Sequence, residues 1–226
     1  DIAQNNVAIG FQAMDGAVAG IDSDQNIAIG TNALGGVLTD TAHDNVAIGY
    51  QSLLVNTSGL ENIGVGTNAL AANTSGARNI GVGQSALLVA ATSVDNIAIG
   101  DQAMYQALSG ADQNIAIGTD ALGGVLTDAA HDNVAIGYHA ADAVTTGLSN
   151  VAIGTDALGG ATTADQSVAI GKGALGGATT TGNDNIAIGK DAANALTSGA
   201  NNIAIGTDAL GANITTNGNV AVGYNA

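Results

Sequence analysis

The sequence predicts an all-β fold, a parallel β-solenoid (β-roll) of about 12–13 short rungs, and three observations support it. First, the phrase Asn-(Ile/Val)-(Ala/Gly)-(Ile/Val)-Gly recurs thirteen times in 226 residues, with Ser in place of Asn once. Second, successive copies begin only 17 to 20 residues apart. Third, each copy alternates β-branched with small residues and ends on Gly, which disfavours a helix and is typical of a short strand.

The repeats form a single array that covers residues 1–226. Its rungs start at Asn6, Asn26, Asn45, Asn62, Asn79, Asn96, Asn114, Asn133, Asn150, Ser167, Asn185, Asn202 and Asn219. A period held through twelve intervals is typical of stacked repeats, which together bury a core that one copy cannot bury alone. At about 4.8 Å per rung, twelve steps give a rod about 58 Å long.

Each rung reads alike, as the copy that starts at Asn114 illustrates. Ile115 and Ile117 share one face of a strand and Ala116 lies on the other. We expect the Ile/Val columns, with the Leu of the following Ala-Leu pair, to form the core, and the recurrent Asn to form a side-chain amide ladder. Gly118 should adopt a backbone conformation that favours glycine. Longer rungs gain residues after the Ala-Leu pair, so that segment is expected to face outward.

Composition restricts the function classes. The formal net charge of −16 disfavours binding to nucleic acid or to an anionic membrane surface. No run of 18 apolar residues occurs, so membrane insertion is not expected. The chain has no Cys, which excludes disulfides and thiolate metal sites and leaves the compartment open.

Two segments carry a family resemblance. Residues 167–174, Ser-Val-Ala-Ile-Gly-Lys-Gly-Ala, resemble the head repeat of YadA-like trimeric autotransporter adhesins. Residues 45–53, Asn-Val-Ala-Ile-Gly-Tyr-Gln-Ser-Leu, resemble repeats of bacteriophage tail fibres. The resemblance extends over essentially the whole chain and implies a parallel β-roll in which three chains associate side by side as a stiff rod. The rungs here are longer than the adhesin-head repeat, so its loop geometry does not carry over.

The small residues between the Ile/Val positions also favour a homotrimer, because they would let another chain approach closely. This column includes Ala28, Ala47, Gly64, Gly81, Ala98 and Ala116. The alternative is that these residues fill the tight interior of a monomeric solenoid. The partners we predict are further copies of the chain, other fibre domains at both ends, and a host-surface glycan or protein.

The predicted function is that of a non-enzymatic attachment fibre, outside the cell on a virion tail fibre or a bacterial surface. A phage tail-fibre segment that displays or spaces a receptor-binding surface is favoured. The alternatives are a bacterial adhesin head, a structural spacer without a ligand and, less favoured, an ice-binding solenoid, which would require a repeated Thr-x-Thr face. No carboxylate pair in a recognisable setting indicates a glycosidase, and no cofactor is predicted.

The two-residue slot after each repeat Gly gathers rare residue types, including both lysines, Lys172 and Lys190. Aromatic rings on a polar rod can stack on sugar faces or contact a partner. A candidate ligand-contact surface therefore consists of Phe11, Tyr50, Tyr138, His139 and Tyr224.

Metal sites are not predicted, although two patterns contain residue types that bind metals. His43-Asp44 and His131-Asp132 occupy equivalent loop positions and could bind a metal or respond to pH, but solvated side chains are favoured. Aspartates near turns could bind calcium, but the Gly-Gly-x-Gly-x-Asp motif is absent and turn formation is favoured. These aspartates are Asp22, Asp24, Asp40, Asp95, Asp120, Asp128 and Asp184. The sequon-like segments that start at Asn56, Asn73 and Asn213 are also interpreted as turns.

Overall fold

A computed structural model describes residues 5–17, 23–108, 110–127, 129–177, 181–212 and 215–226. Within these residues, thirteen three-residue strands form one parallel sheet in chain order. They are β1 (Val7–Ile9), β2 (Ile27–Ile29), β3 (Val46–Ile48), β4 (Ile63–Val65), β5 (Ile80–Val82), β6 (Ile97–Ile99), β8 (Ile115–Ile117), β10 (Val134–Ile136), β11 (Val151–Ile153), β12 (Val168–Ile170), β13 (Ile186–Ile188), β14 (Ile203–Ile205) and β15 (Val220–Val222). Two further strands, β7 (Gln106–Ala107) and β9 (Val125–Leu126), pair with each other. The predicted parallel β-solenoid is confirmed.

The register is the same from rung to rung. Each strand pairs residue for residue with the equivalent strand of the next repeat, as Val46 does with Ile27 and Ile63. The hydrogen bonds join successive rungs: the Ile27 amide donates to the Asn45 carbonyl at 2.8 Å, and the Gly49 amide donates to the Ile29 carbonyl at 2.8 Å. We number the rungs 1 to 13 from Asn6 to Asn219.

The strand orientation is opposite to the prediction. Ala116 is fully buried whereas Ile117 is 36% exposed, and the same alternation holds in the sheet from β2 to β14. In the terminal strand β1 all three residues are exposed. The reason is the width of the interior. A Cβ built on Gly81 would lie 3.3 Å from Leu70 Cγ, so a methyl group already contacts the leucine column and an isoleucine would not fit. The core therefore consists of Ala and Leu columns, and the Ile/Val columns face outward. The small column does not provide the predicted approach for another chain.

The predicted amide ladder is confirmed. Asn45 is buried and donates to Asn26 Oδ1 from its backbone amide at 3.0 Å and from Nδ2 at 3.1 Å. Its Nδ2 also donates to the Gly59 carbonyl at 2.9 Å. In the next rung, the backbone amide and Nδ2 of Asn62 donate to Asn45 Oδ1 in the same way. Each Asn thus satisfies buried backbone groups and fixes the height of the next rung.

The glycine that ends each strand adopts a positive φ, which other residues rarely adopt. Gly118 has a φ of +131°, and a Cβ there would lie 2.5 Å from the Gly137 carbonyl oxygen one rung above. The chain then turns so that Ala121 and Leu122, the predicted core pair, are buried. Leu122 itself has a φ of +48°, a left-handed conformation that is unusual for a leucine and that its burial stabilises.

The extra residues of the longer rungs do not all face outward as predicted. In the second rung Val37 is exposed, but the next residue, Leu38, is fully buried. Val125 and Leu126 of β9 show the same alternation. The Thr39 amide donates to the Thr57 carbonyl at 2.8 Å, so Leu38 lies level with the buried Asn56 of the next, 17-residue rung, and only part of the segment lies on the surface.

Candidate functional surface

One face of the rod consists entirely of the outward Ile and Val side chains of the thirteen-stranded sheet. We call it the apolar face: positions 1 and 3 of each strand, two columns that contain no other residue type. In the inner rungs nine of these side chains are 36–39% exposed and the others are partly exposed, because all stand on the outer surface of the sheet. The face is continuous because every strand pairs in register with the next.

Two columns of exposed or half-exposed residues flank the apolar face. The leading edge is the residue before each repeat Asn: Asn5, Gln25, Asp44, Glu61, Arg78, Asp95, Gln113, Asp132, Ser149, Gln166, Asp184, Asn201 and Gly218. The trailing edge is the residue after each repeat Gly: Phe11, Thr31, Tyr50, Thr67, Gln84, Asp101, Thr119, Tyr138, Thr155, Lys172, Lys190, Thr207 and Tyr224. Five of the thirteen leading-edge residues are acidic against one on the trailing edge, whereas two of the three basic residues of the chain lie on the trailing edge.

The aromatic residues predicted as ligand contacts all lie on the trailing edge, and their side chains are exposed. Phe11 is 72% exposed, Tyr50 49%, Tyr138 53% and Tyr224 76%. They belong to rungs 1, 3, 8 and 13, and Tyr50 and Tyr138 lie about 24 Å apart at the rung spacing of about 4.8 Å. The structure therefore does not bring the four rings together.

His139, the fifth predicted contact, lies against Tyr138. The two rings stack with centroids 4.0 Å apart and an interplanar angle of 15°. The imidazole lies between two carboxylates: its Nε2 is 3.4 Å from Asp120 Oδ2 and its Nδ1 is 3.3 Å from Asp142 Oδ2. The imidazole, the two carboxylates, Gly123 and Gly124 line a shallow recess of about 330 Å³, and the Tyr138 ring lies beside it, stacked on His139.

The recess combines an aromatic ring with groups that hydrogen-bond. Burial raises the pKa of the Asp142 carboxyl above its ordinary value; His139 opposes this effect, and Asp156 and Asp120 add to it. Carboxylate oxygens accept hydrogen bonds from hydroxyl groups, and the Tyr138 ring offers an apolar surface. Sequence reasoning missed Asp142 and interpreted Asp120 only as a turn aspartate. The signal was available, because Asp120 and His139 both lie two residues after a repeat Gly in successive rungs.

The other two histidines remain on the surface. His43 Nδ1 lies 2.8 Å from Asp44 Oδ2, and His131 Nδ1 lies 2.8 Å from Asp132 Oδ2. All four side chains are more than one third exposed. Within the part of the chain that the structure describes, no group of three or more His, Cys, Asp or Glu residues is arranged to hold a metal ion. Asp22 and Asp128 lie outside the described residues.

The sequon-like segments lie at turns whose asparagines point inward. Asn56 and Asn73 are fully buried. Asn56 Nδ2 donates to the Gly59 carbonyl at 2.9 Å, and Asn73 Nδ2 donates to Asn56 Oδ1 at 2.8 Å. These amides form a short second ladder and are not accessible for glycosylation in the folded chain. Asn213 lies outside the described residues.

Comparison of the chain with protein-family models, curated proteins and solved structures gives no match. The functional assignment therefore depends on the geometry of the apolar face, its two edges and the recess. No helix in the described ranges has the length and hydropathy needed to cross a bilayer.

Proposed function

We propose that the chain is a segment of a homotrimeric, non-enzymatic attachment fibre, of the kind found in a phage tail fibre or a bacterial surface adhesin. The observation that carries the proposal is the apolar face, an uninterrupted surface of Ile and Val along thirteen strands of one chain.

An uncovered face of this size favours a partner of the same length. The columns run about 58 Å along the rod and lie about 7 Å apart, so the strip between them alone covers about 400 Å². Apolar patches of this size on soluble proteins commonly mark interaction sites. A second copy of the chain presents β-branched side chains at the same spacing, and side chains of two such sheets can interdigitate.

Three copies suit this face because it has two columns. In a trimer around an axis parallel to the rod, each column packs against a different neighbour and both are buried at the centre. The acidic residues then remain at the rim or on the outside, where they are solvated. Closed symmetric assemblies of this kind are the usual outcome of self-association.

Attachment would use the surface beyond the edges of the apolar face. The recess lined by His139, Asp120 and Asp142 is the best formed part of the predicted ligand-contact surface, since it places the imidazole between two carboxylates. A host-surface glycan, with apolar sugar faces and hydroxyl donors, suits this combination. Three copies on one rod would add avidity to a weak single contact.

The first test is the solution mass, measured by light scattering coupled to size exclusion. We expect three times the 21.7 kDa of one chain. A monomeric mass over a wide concentration range would overturn the trimer. A glycan screen then tests attachment, with His139→Ala expected to lose binding and Thr155→Ala, in the next rung, expected to keep it. Binding that survives His139→Ala would exclude the recess as the contact site.

A further inference from the structure

Tyr and Lys side chains on the trailing edge occur only above one kind of turn. In rungs 2 to 13 the trailing-edge residue is Tyr or Lys five times and Thr, Gln or Asp seven times. In the rung below each Tyr or Lys, the residue after the Ala-Leu pair is Gly, whereas below the other seven the equivalent residue is never Gly. The turn glycine and the large side chain above it therefore form one recurrent arrangement. The five turn glycines are Gly35, Gly123, Gly159, Gly176 and Gly211.

A turn glycine leaves room on the surface of the rod, because no side chain covers the turn. Between rungs 7 and 8 this room is the recess lined by Asp120, Gly123 and His139, with Tyr138 beside it. Between rungs 12 and 13 a second cavity, of about 590 Å³, occurs at the same place. Its lining includes the residues at the positions equivalent to Asp120, Gly123 and His139, which are Asp208, Gly211 and Asn225.

The same arrangement occurs a third time, between rungs 2 and 3. Gly35 is the turn glycine there, and a Cβ built on it would meet no atom closer than 3.4 Å. Leu54 occupies the position of Asp142, and its Cδ1 lies 3.5 Å from that Cβ, so this recess has an apolar wall. The polar side chains at the positions of Asp120 and His139 are Asn32 and Gln51.

The three recesses form a regular row. The residue two places after the repeat Gly of the lower rung recurs every 88 residues, at Asn32, Asp120 and Asp208. Each lies five rungs beyond the last, about 24 Å at the rung spacing of about 4.8 Å, so the row spans about 48 Å. Above each recess stands a trailing-edge tyrosine that is 49% exposed or more. These tyrosines are Tyr50, Tyr138 and Tyr224.

The recesses share a ligand chemistry although their side chains differ. Each places an aromatic ring near two side chains that hydrogen-bond through amide, carboxylate or imidazole groups. The ring offers an apolar surface to a sugar face, and the polar groups can bond to sugar hydroxyls. Neither cavity lining contains Lys or Arg, and the chain carries a formal net charge of −16, so an anionic ligand is disfavoured. A neutral sugar suits all three recesses.

We infer that the rod binds a linear neutral polysaccharide along its trailing side, with one strand of the polymer in contact with all three recesses. The inference rests on the attachment proposed for the recess at His139, and it adds two further sites and the class of ligand. One shallow recess binds a single sugar weakly. Three contacts on the same strand raise the affinity, because each contact made increases the effective concentration of the polymer at the next.

Ligand length tests the row of recesses. The probes are dextran, mannan and galactan, each as the polymer and as its trisaccharide, with binding measured by isothermal titration calorimetry. We expect at least one polymer to bind roughly a hundredfold more tightly than its trisaccharide, which is too short to reach a second recess about 24 Å away. Equal affinity for the two would overturn the row but leave attachment at the recess at His139 standing. Binding of none of the polymers would overturn the inference, whereas the solution mass tests the proposed fibre independently.

Substitution by glycine at equivalent positions tests each recess separately. Asn32, Asp120 and Asp208 have φ values of +56°, +54° and +57°, which glycine adopts readily, and Gly173 already occupies this position in rung 10 with a φ of +66°. Asn32→Gly, Asp120→Gly and Asp208→Gly should each weaken polymer binding roughly three- to tenfold, because hydrogen bonds to the ligand are lost. The triple variant should show the product of the three factors, since sites this far apart act independently.

Asn68→Gly is the matched control. Asn68 has the same backbone conformation, with a φ of +57°, but its rung has Ala71 in place of the turn glycine. Its polymer affinity should equal that of the unmodified chain, and circular dichroism should show that all of these variants are folded. A loss confined to Asp120→Gly would reduce the row to one recess and overturn the inference, as would an equal loss in Asn68→Gly.

Discussion

At Ser167 the amide ladder is carried by a hydroxyl instead of an amide. Ser167 Oγ accepts the Asn185 backbone amide at 3.2 Å, whereas Asn Oδ1 in a regular rung accepts both the backbone amide and the Nδ2 of the next Asn. The Nδ2 of Asn185 instead donates to the Gly182 and Gly199 carbonyls. Two side-chain hydrogen bonds of the regular ladder are therefore missing at this rung, one between positions 167 and 150 and one between Asn185 and position 167.

Ser167→Asn is expected to stabilise the rod by about 1 kcal/mol, because it restores the missing acceptor at a buried position. Urea unfolding followed by circular dichroism measures the change. The reverse substitution in a regular rung, Asn150→Ser, should lower stability by a similar amount. A lower midpoint for Ser167→Asn would show that the serine is required by local space.

Asp142 should make stability depend on pH. Its pKa is raised by burial, so the folded chain holds this proton more tightly than the unfolded chain does. Its contribution to stability is therefore largest at acidic pH and falls as the pH rises through the raised value.

Asp142→Asn should remove this contribution and give a smaller loss of stability between acidic and neutral pH. Urea midpoints measured from pH 4 to 7 test this, with Asp101→Asn, an exposed carboxylate, as the control. An unchanged pH profile would contradict the role of burial at Asp142.

In the core, side-chain size at two contacting positions in neighbouring rungs changes together. Ser52 occupies a position that is Ala in most rungs, and Gly64 occupies the inward strand position that is usually Ala. A Cβ on Gly64 would lie 2.5 Å from Ser52 Oγ, which donates to the Gly64 carbonyl at 2.8 Å. The hydroxyl therefore fills the space that the glycine leaves.

Gly64→Ala alone should destabilise the rod by about 1–3 kcal/mol through overpacking, whereas Ser52→Ala with Gly64→Ala should return near the native value. The double variant restores the Ala-Ala contact of the regular rungs. Thermal unfolding of the two single variants and the double variant forms a double-mutant cycle. Additive losses in the double variant would contradict this coupling.

The repeat chemistry of each rung is local, so the sequence predicts the period, the strand positions, the Asn ladder, the glycine corners and the Ala-Leu pair. The direction of the strand faces could not be predicted from alternation alone, which shows that Ile115 and Ala116 differ but not which is buried. The Asn indicates the direction: if its amide points inward, a period of two places the next Ile outward and Ala inward.

Only part of the candidate ligand-contact surface could be predicted from the sequence. Exposure of Tyr138 followed from its place in a variable slot. The recess required two distant parts of the sequence, Asp120 and Asp142, to meet around His139, and that depends on rung stacking and on the course of an inserted segment.

On the scale of the whole rod, the apolar face should decide the state of association. Ile117 lies near the middle of the face, and its side chain points away from the core, so Ile117→Lys should leave the single chain folded. We expect the mass to fall from three chains to one while the circular dichroism spectrum is unchanged. Thr119→Lys, on the trailing edge of the same rung, introduces the same charge and should remain trimeric. A trimeric Ile117→Lys variant would argue that copies meet through another surface.

The hydrogen bonds between rungs run along the rod axis, and this affects how the molecule responds to a pull on its ends. Tension along the axis loads the bonds of the outermost rung first, so the rod should unravel one rung at a time. Each 17-residue rung occupies about 4.8 Å of the rod but releases about 50 Å of additional chain when it opens. Single-molecule stretching of the Ile117→Lys monomer should show a series of steps with this spacing, whereas one large step would contradict rung-by-rung opening. A fibre built this way would yield gradually under load and absorb mechanical work before it breaks.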